Sequence, residues 1–162
     1  MPDTPPSPDQ APLPRLFWED FPVGHVFEVG SHCFTAEEII GFARQYDPQA
    51  FHIDPVAAAS SAFGGLVASG WHVVLVAMRL SCDAYLLRSA GMGSPGVDDL
   101  RWLKPVRAGD TITYRRTVRE ARPSNSKPGM GLINMVGDGT NQHGETVMTM
   151  SAWTMMGRRP AS

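Results

Sequence analysis

Two side chains that can exchange protons, a carboxylate and an imidazole, stand five residues apart at Asp47 and His52. Pro48 lies between them, and a proline ends a helix and turns the chain into a loop. A loop can direct both side chains at one point, and such a pair around a water molecule acts as general acid and base. The spacing therefore predicts Asp47 and His52 as a catalytic pair.

A glycine at the start of an apolar helix follows at Gly70, eighteen residues after His52. The first N–H groups of a helix have no partner within it and carry partial positive charge, and glycine permits close approach. We expect the Gly70 amide to polarise a substrate carbonyl. The nearby residues Ser69, Gly65 and Phe63 are predicted to line the same substrate-binding site.

Each of these residues also fits a purely structural role. Aspartate is common in turns and histidine is buried to very different degrees, so neither Asp47 nor His52 is informative alone. Ser69 is predicted to cap the apolar helix and Asp54 to cap a shorter one, because both are good N-cap residues. The combination of complementary groups with Gly70 in one segment favours catalysis.

Helical spacing of apolar residues predicts the elements that carry this segment. One helix begins after Thr35, which forms a capping box with Glu38, and it ends before Pro48. Asp47 therefore lies at a helix exit. A short second helix begins at the proline after Asp54, since proline is favoured at the first helical position.

A third helix is predicted from Gly70 to about Ser89, with apolar residues on nearly every face of its first half, which is typical of a buried helix. Segments rich in β-branched residues and methionine predict strands at 25–34, 97–103, 110–121, 131–138 and 145–156. The order predicts an α+β fold in which one antiparallel sheet covers one helix. Its uncovered edges predict a homodimer or a higher homo-oligomer.

Length and composition indicate one globular domain. Of the 162 residues, 43% are hydrophobic and 19% are charged. We place the domain at residues 17–157, between a disordered, proline-rich tail at 1–16 and a C-terminal tail at 158–162. The net charge of −2 does not favour binding to nucleic acid or to an anionic membrane. The longest apolar stretch, 73–78, is too short to span a bilayer.

Cysteines and histidines bear on compartment and metals. Cys33 and Cys82 are too few for a disulfide framework, and we predict buried thiols in a reducing compartment. The N-terminus lacks the basic start and apolar run of a secretory signal, so a cytoplasmic location is expected. His25, His32 and His143 have no partners at ligand spacing, so no metal site is predicted.

The segment around the acid–base pair resembles the MaoC-like dehydratases and R-specific enoyl-CoA hydratases. Their pattern is roughly D-x-N-P-hydrophobic-H-x-D, and Asp47, His52 and Asp54 match it. Gln49 and Ala50 replace the asparagine and proline that are frequent in the family. Both chemical positions of the pattern are therefore kept, while the loop between them differs.

Two further features extend this resemblance over residues 17–156. Gly70 matches the family position whose backbone amide polarises the thioester, and the Pro-Val-x-x-Gly-Asp turn at 105–110 is similar to the family's turn. Met78 stands where the hydratases often carry a serine near the active site. A role for such a serine is therefore absent or replaced in this chain.

The resemblance implies the hotdog fold, an antiparallel β-sheet wrapped around a long central helix. It also implies an acyl-CoA hydratase or dehydratase, a hydro-lyase of fatty acid metabolism, in which Asp47 and His52 hold water at the β carbon. The Gly70 amide would stabilise enolate character in the thioester. Coenzyme A enters as part of the acyl-CoA substrate, and no other cofactor is implied. Which member of the pair is the base stays open.

Two other functions compete with hydration. The hotdog fold also carries acyl-CoA thioesterases, which commonly place a carboxylate on or near the central helix. Asp83 is the acid within the predicted helix here. A non-catalytic acyl-CoA-binding subunit would need neither Asp47 nor His52, so the presence of both favours a hydratase.

Overall fold

The computed structural model of the protein describes residues 15–160. The predicted disordered tail at 1–16 lies mostly outside this range. The helices are α1 (Ala36–Tyr46), α2 (Ala50–Ile53), α3 (Pro55–Ala59) and α4 (Gly70–Ala84). The strands are β1 (Val26–Cys33), β2 (Gly96–Trp102), β3 (Thr111–Pro123), β4 (Met130–Thr140) and β5 (Thr146–Gly157).

The strands form one antiparallel sheet in the order β1-β3-β4-β5-β2. The long strands β3, β4 and β5 occupy its centre, and their buried side chains share one hydrophobic core with those of α4. The hydroxyl of Tyr114 in β3 donates to the backbone carbonyl of Val73 in α4 at 3.2 Å. The predicted cover of one helix by one sheet is confirmed, and each predicted strand lies within two residues of its observed bounds.

Helix α1 brings Asp47, a predicted site residue, to its position. The Thr35 hydroxyl accepts the N–H of Glu38 at 3.2 Å, and the Glu38 carboxylate accepts the N–H of Thr35 at 3.1 Å. This capping box satisfies two N–H groups at the helix start. The last bond of the helix joins the N–H of Asp47 to the carbonyl of Ala43 at 2.8 Å, so Asp47 is the C-cap.

The segment after Asp47 contains a helix that the sequence pattern did not predict. Residues 50–53 form α2, in which the N–H of His52 bonds the Gln49 carbonyl and the N–H of Asp54 bonds the Ala50 carbonyl. One turn of helix is too short for apolar spacing to reveal. Asp54 then caps α3 through its carboxylate, as predicted.

Helix α4 ends earlier than predicted, at Ala84 rather than near Ser89. Tyr85 has a φ of −153°, outside the helical region, and its ring is 4% exposed. That ring packs against Phe21 and Phe27 at centroid distances of 6.0 and 4.8 Å. Burying the ring among these aromatics therefore takes the chain out of the helix, and residues 86–88 form a separate 3-10 turn.

The prediction that α4 is buried on nearly every face is wrong for the single chain. Its buried face carries small and polar residues as well as Val73, whereas Trp71, Leu75 and Met78 are about half exposed. The sheet covers one side of the helix only, and the short edge strand β2 does not extend over the opposite side. The apolar side of α4 is thus left uncovered.

The cysteines and chain ends also differ from expectation. Cys33 is exposed at the end of β1 and Cys82 is half-buried, so the prediction of two buried thiols is wrong, although both are free. Leu16, placed in the disordered tail, exchanges backbone hydrogen bonds with Arg88 and Ala90. No helix within residues 15–160 is long and apolar enough to cross a membrane.

Candidate active site

The carboxylate of Asp47 is held from two directions. The amide nitrogen of Gln49 donates to Oδ1 of Asp47 at 2.7 Å. Oδ2 lies 3.4 Å from Nε2 of His52. The proline turn after α1 and the start of α2 bring these three side chains together, which confirms that residues 47 and 52 converge in space.

His52 is buried, with 6% exposure, and its ring is fixed from behind. Nδ1 lies 2.7 Å from the backbone carbonyl of Val67. A carbonyl oxygen only accepts, so Nδ1 carries the hydrogen and Nε2 is the nitrogen that can exchange a proton. Nε2 is also the nitrogen that faces Asp47. The fixed tautomer therefore directs the reactive nitrogen towards the carboxylate.

The electrostatics keep Asp47 ionised. Partial burial acts to raise the pKa of Asp47, but hydrogen bonds from Gln49 and Ser69 and the positive charge of a protonated His52 outweigh it. The net result is a pKa below the ordinary value for aspartate. Near neutral pH the site therefore holds Asp47 as a carboxylate.

The start of α4 lies at the same place. Ser69 is fully buried, and its hydroxyl caps the helix by accepting the N–H of Trp71 at 3.3 Å. Gly70 is the first residue of α4, and its N–H has no hydrogen-bond acceptor among residues 15–160. An unpaired amide at a helix start is a donor for a carbonyl or an anion.

A cavity of about 550 Å³ connects these groups. It brings together the predicted residues Asp47, His52, Ser69, Gly70 and Phe63. Its remaining wall is largely apolar and is formed by Gln49, Phe51, Val67, Ala68, Trp71, Val73, Trp102, Leu103, Lys104, Pro105, Val106 and Val147. One cavity therefore contains an acid–base pair and a free helix-start amide.

The model of the MaoC like domain matches residues 23–131 of the chain. The chain belongs to this MaoC-like family. The structure agrees, because the sheet wrapped around α4 is the hotdog fold, as predicted.

Individual relatives match different shares of the chain. A MaoC-like dehydratase from Rhodospirillum rubrum superposes with a TM-score of 0.81, shares 39% identity, and is matched over 90% of this chain and 99% of its own. The uncharacterized protein YdeM of Bacillus subtilis is 24% identical over 76% of this chain and 86% of its own length. The mesaconyl-CoA hydratase of Cereibacter sphaeroides is 38% identical over 40% of this chain, which is 18% of that protein.

Two residues considered for the site, Gly65 and Asp83, lie away from the cavity. Gly65, predicted to bind substrate, is not part of the cavity wall, and the space beside it is occupied by the guanidinium of Arg107. Arg107 also donates to the Phe63 carbonyl at 2.6 Å, so it fixes the glycine loop. Asp83 is outside the cavity as well, because it forms an exposed ion pair with Arg79 on α4.

The site also contains residues that the sequence did not single out. Gln49 stands at the asparagine position of the MaoC-like pattern. An amide side chain at that position was the sequence feature that could have predicted its contact with Asp47. Trp102 and Lys104 enter the wall from the end of β2 and the loop after it. The pairing of β2 with β5 brings them there. The paired residues are more than 45 positions apart in the chain, so the local spacing of residues does not predict this contact.

Proposed function

We propose that the protein adds water to, or removes it from, the double bond of a 2-enoyl-CoA thioester. The observation that carries this proposal is the pairing of Asp47 Oδ2 with His52 Nε2 at 3.4 Å, in the cavity that contains the start of α4. Hydration of an enoyl thioester needs a proton-exchanging pair and a donor for the carbonyl oxygen. The cavity contains both.

The Gly70 amide is the proposed donor to the thioester carbonyl. Attack at the β carbon moves electron density onto this oxygen, which gains enolate character. A preorganised N–H at a helix start stabilises that charge without rearrangement. This step explains why the free amide must lie in the same cavity as the acid–base pair.

Asp47 and His52 are proposed to hold the water at the β carbon. The pair takes one proton as the water oxygen bonds to the β carbon, and a proton passes to the α carbon as the enolate collapses. The elements of one water are added in total, and dehydration is the reverse. Because the two groups lie 3.4 Å apart, both are proposed to serve as one proton-exchanging unit.

The proposed partner is an acyl-CoA thioester, with coenzyme A as part of the substrate and no further cofactor. The apolar wall suits an acyl group, and the exposed side chain of Lys104, which pairs with Glu145, lines the cavity on its solvent side. The R stereochemistry follows from the family resemblance. A cytoplasmic location fits the free thiols of Cys33 and Cys82.

A homodimer is proposed from surface features of the single chain. Trp71, Leu75 and Met78 form an exposed apolar stripe at helical spacing on α4. Beside it, β2 is a sheet edge with exposed apolar residues such as Val97. An unpaired edge next to an apolar patch is what a second copy of the chain would cover.

The competing thioesterase function has less support. Asp83, the acid within α4, has its carboxylate in an exposed pair with Arg79 and takes no part in the cavity. A carboxylate there cannot reach a thioester bound at Gly70 without leaving the helix. A non-catalytic binding role would leave the oriented Asp47–His52 pair without a purpose.

The proposal is tested by following two products in one assay. A panel of 2-enoyl-CoA thioesters is incubated with the protein, with enoyl absorbance reporting hydration and a thiol-trapping reagent reporting free CoA. Enoyl absorbance is expected to fall without release of CoA, in wild type and in Asp83→Asn alike. Asp83→Asn removes the carboxylate that a thioesterase would use and keeps the helix. This variant therefore tests the thioesterase function separately.

Two results would overturn the proposal. Release of CoA that fails in Asp83→Asn would establish the thioesterase instead. Binding of the thioesters without turnover, measured by calorimetry on the same samples, would establish the non-catalytic subunit.

A further inference from the structure

The indole of Trp102 lies directly on Gly70. A Cβ atom added to Gly70 would overlap three atoms of that ring, so the contact exists only because residue 70 has no side chain. Gly70 therefore serves two purposes: it begins α4, and it makes room for Trp102. The proposed carbonyl-binding amide and the indole are direct neighbours.

The position of Trp102 is fixed by the sheet and by a second indole. Trp102 ends β2 opposite Met148 of β5, and the N–H of the next residue, Leu103, bonds the Val147 carbonyl at 2.8 Å. Trp71 contacts the ring edge-on, with centroids 5.4 Å apart and planes at 77°. Trp102 is 47% exposed, so its ring bounds the cavity on the solvent side, in contact with Gly70 and Trp71.

The side of the cavity opposite the indole is formed by buried core residues. Val73, Val106 and Val147 line its floor and are at most 2% exposed, so each belongs to the close-packed core. The rim, in contrast, contains exposed residues such as Gln49 and Lys104. A thioester bound at Gly70 must send its sulfur arm out over the rim, which leaves its acyl group between the valine floor and the indole.

We propose that Trp102 is a specificity-determining residue that restricts this site to short acyl chains. The inference rests on the proposed function, because it takes the thioester carbonyl to bind at Gly70. A crotonyl group ends soon after the double bond and fits below the indole. A decenoyl group must continue past it, into the space that the indole bounds on one side and the core valines bound on the other.

The test compares chain lengths in wild type and in variants that remove or keep the wall. Wild type should hydrate crotonyl-CoA with a kcat/KM at least tenfold above that for decenoyl-CoA. Trp102→Ala and Trp102→Leu should raise the decenoyl-to-crotonyl ratio at least tenfold. Trp102→Phe keeps a flat ring on Gly70 and should keep the wild-type order.

Trp153→Ala is the matched control. This tryptophan is also half-buried in the sheet, in β5, but it stacks with Arg122 outside the cavity. Its loss should leave the chain-length order unchanged. A ratio that shifts equally in Trp153→Ala would show a general loosening of the sheet and would overturn the proposal.

Binding of saturated thioesters separates this proposal from the proposed function. Butyryl-CoA should bind wild type at least tenfold more tightly than decanoyl-CoA by calorimetry, and Trp102→Leu should narrow that difference. This readout needs no turnover, so it holds even if hydration fails. A uniform loss of affinity for both chain lengths would place the indole on the CoA arm and overturn the proposal, as would a wild type that prefers long chains.

Discussion

At the scale of single residues, the chemistry depends on how Asp47 and His52 are held. Their proximity was predictable from the sequence, because both lie in one short segment broken by Pro48, whereas the catalytic role also rested on Gly70 and on the family resemblance. The partners that orient them were not predictable in the same way. Val67 binds the His52 ring from fifteen residues away, and such a contact depends on the fold rather than on local sequence.

The first prediction concerns the hydrogen bond from Gln49 to Asp47. Gln49→Ala removes the 2.7 Å donor to Oδ1, which is among the causes that lower the pKa of Asp47. The pKa of Asp47 should therefore rise, and the acid limb of the kcat/KM profile for enoyl-CoA hydration should move to higher pH. The carboxylate also loses the bond that holds its orientation, so kcat at neutral pH should fall about tenfold, equivalent to ~1.4 kcal/mol.

Gln45→Ala is the control for this variant, since Gln45 is an exposed glutamine on α1 that precedes Asp47 by two residues. Its pH profile should match that of wild type. If the acid limb of Gln49→Ala does not move, the hydrogen bond has no influence on the titration of Asp47.

At the scale of elements, the packing of α1 against α4 sets the position of the site. His72 of α4 is 8% exposed and stacks on Phe42 of α1 with centroids 4.6 Å apart. His72 therefore packs between α1 and α4. The sequence predicted α1 closely because its capping box is local. It did not predict where α4 ends, because packing of the Tyr85 ring against the distant residues Phe21 and Phe27 decides that.

The second prediction follows from the burial of His72. Desolvation lowers the pKa of His72, against an opposing contribution from Glu38 of α1 and together with His32 of β1. The unfolded chain therefore binds the proton more readily than the folded one, and stability should fall as pH drops through about 6.5. His72→Phe keeps the ring stack without a titrating group, so it should lose less stability.

Urea unfolding at about pH 8 and about pH 5 measures this difference in the free energy of unfolding. His143→Asn removes an exposed histidine from the loop after β4 and should behave like wild type. Equal losses in wild type and His72→Phe would show that other groups cause the pH dependence.

At the scale of the whole molecule, the cover of one helix by one sheet followed from the order and type of the segments, and the hotdog fold followed from the family resemblance. The uncovered side of α4 did not follow from the sequence. Apolar residues around α4 indicated burial, yet Trp71, Leu75 and Met78 face outward in the single chain. A sequence records that a residue is apolar, but not whether its own chain or a second copy covers it.

The third prediction tests the proposed homodimer. Leu75 is 51% exposed at the centre of the apolar stripe. Leu75→Glu would place two charges against each other across a two-fold interface, which is costly when they are desolvated. Sedimentation velocity should show a dimer for wild type and a monomer for the variant.

Leu87→Glu is the matched control, because Leu87 is 76% exposed in the 3-10 turn after α4, away from the stripe. It should remain dimeric. A wild type that sediments as a monomer, or a Leu75→Glu variant that stays dimeric, would show that this face of α4 is not the interface.

The most direct test of the proposed function is hydration of crotonyl-CoA by Asp47→Asn beside Asp54→Asn. Both variants exchange a carboxylate for an amide in the same short segment. Asp54 caps α3, and asparagine caps equally well, so Asp54→Asn should retain wild-type activity. Asp47→Asn should lower kcat by about 10²–10⁴, the usual contribution of general acid–base catalysis, with KM nearly unchanged. Wild-type turnover in Asp47→Asn would contradict the role of the Asp47–His52 pair.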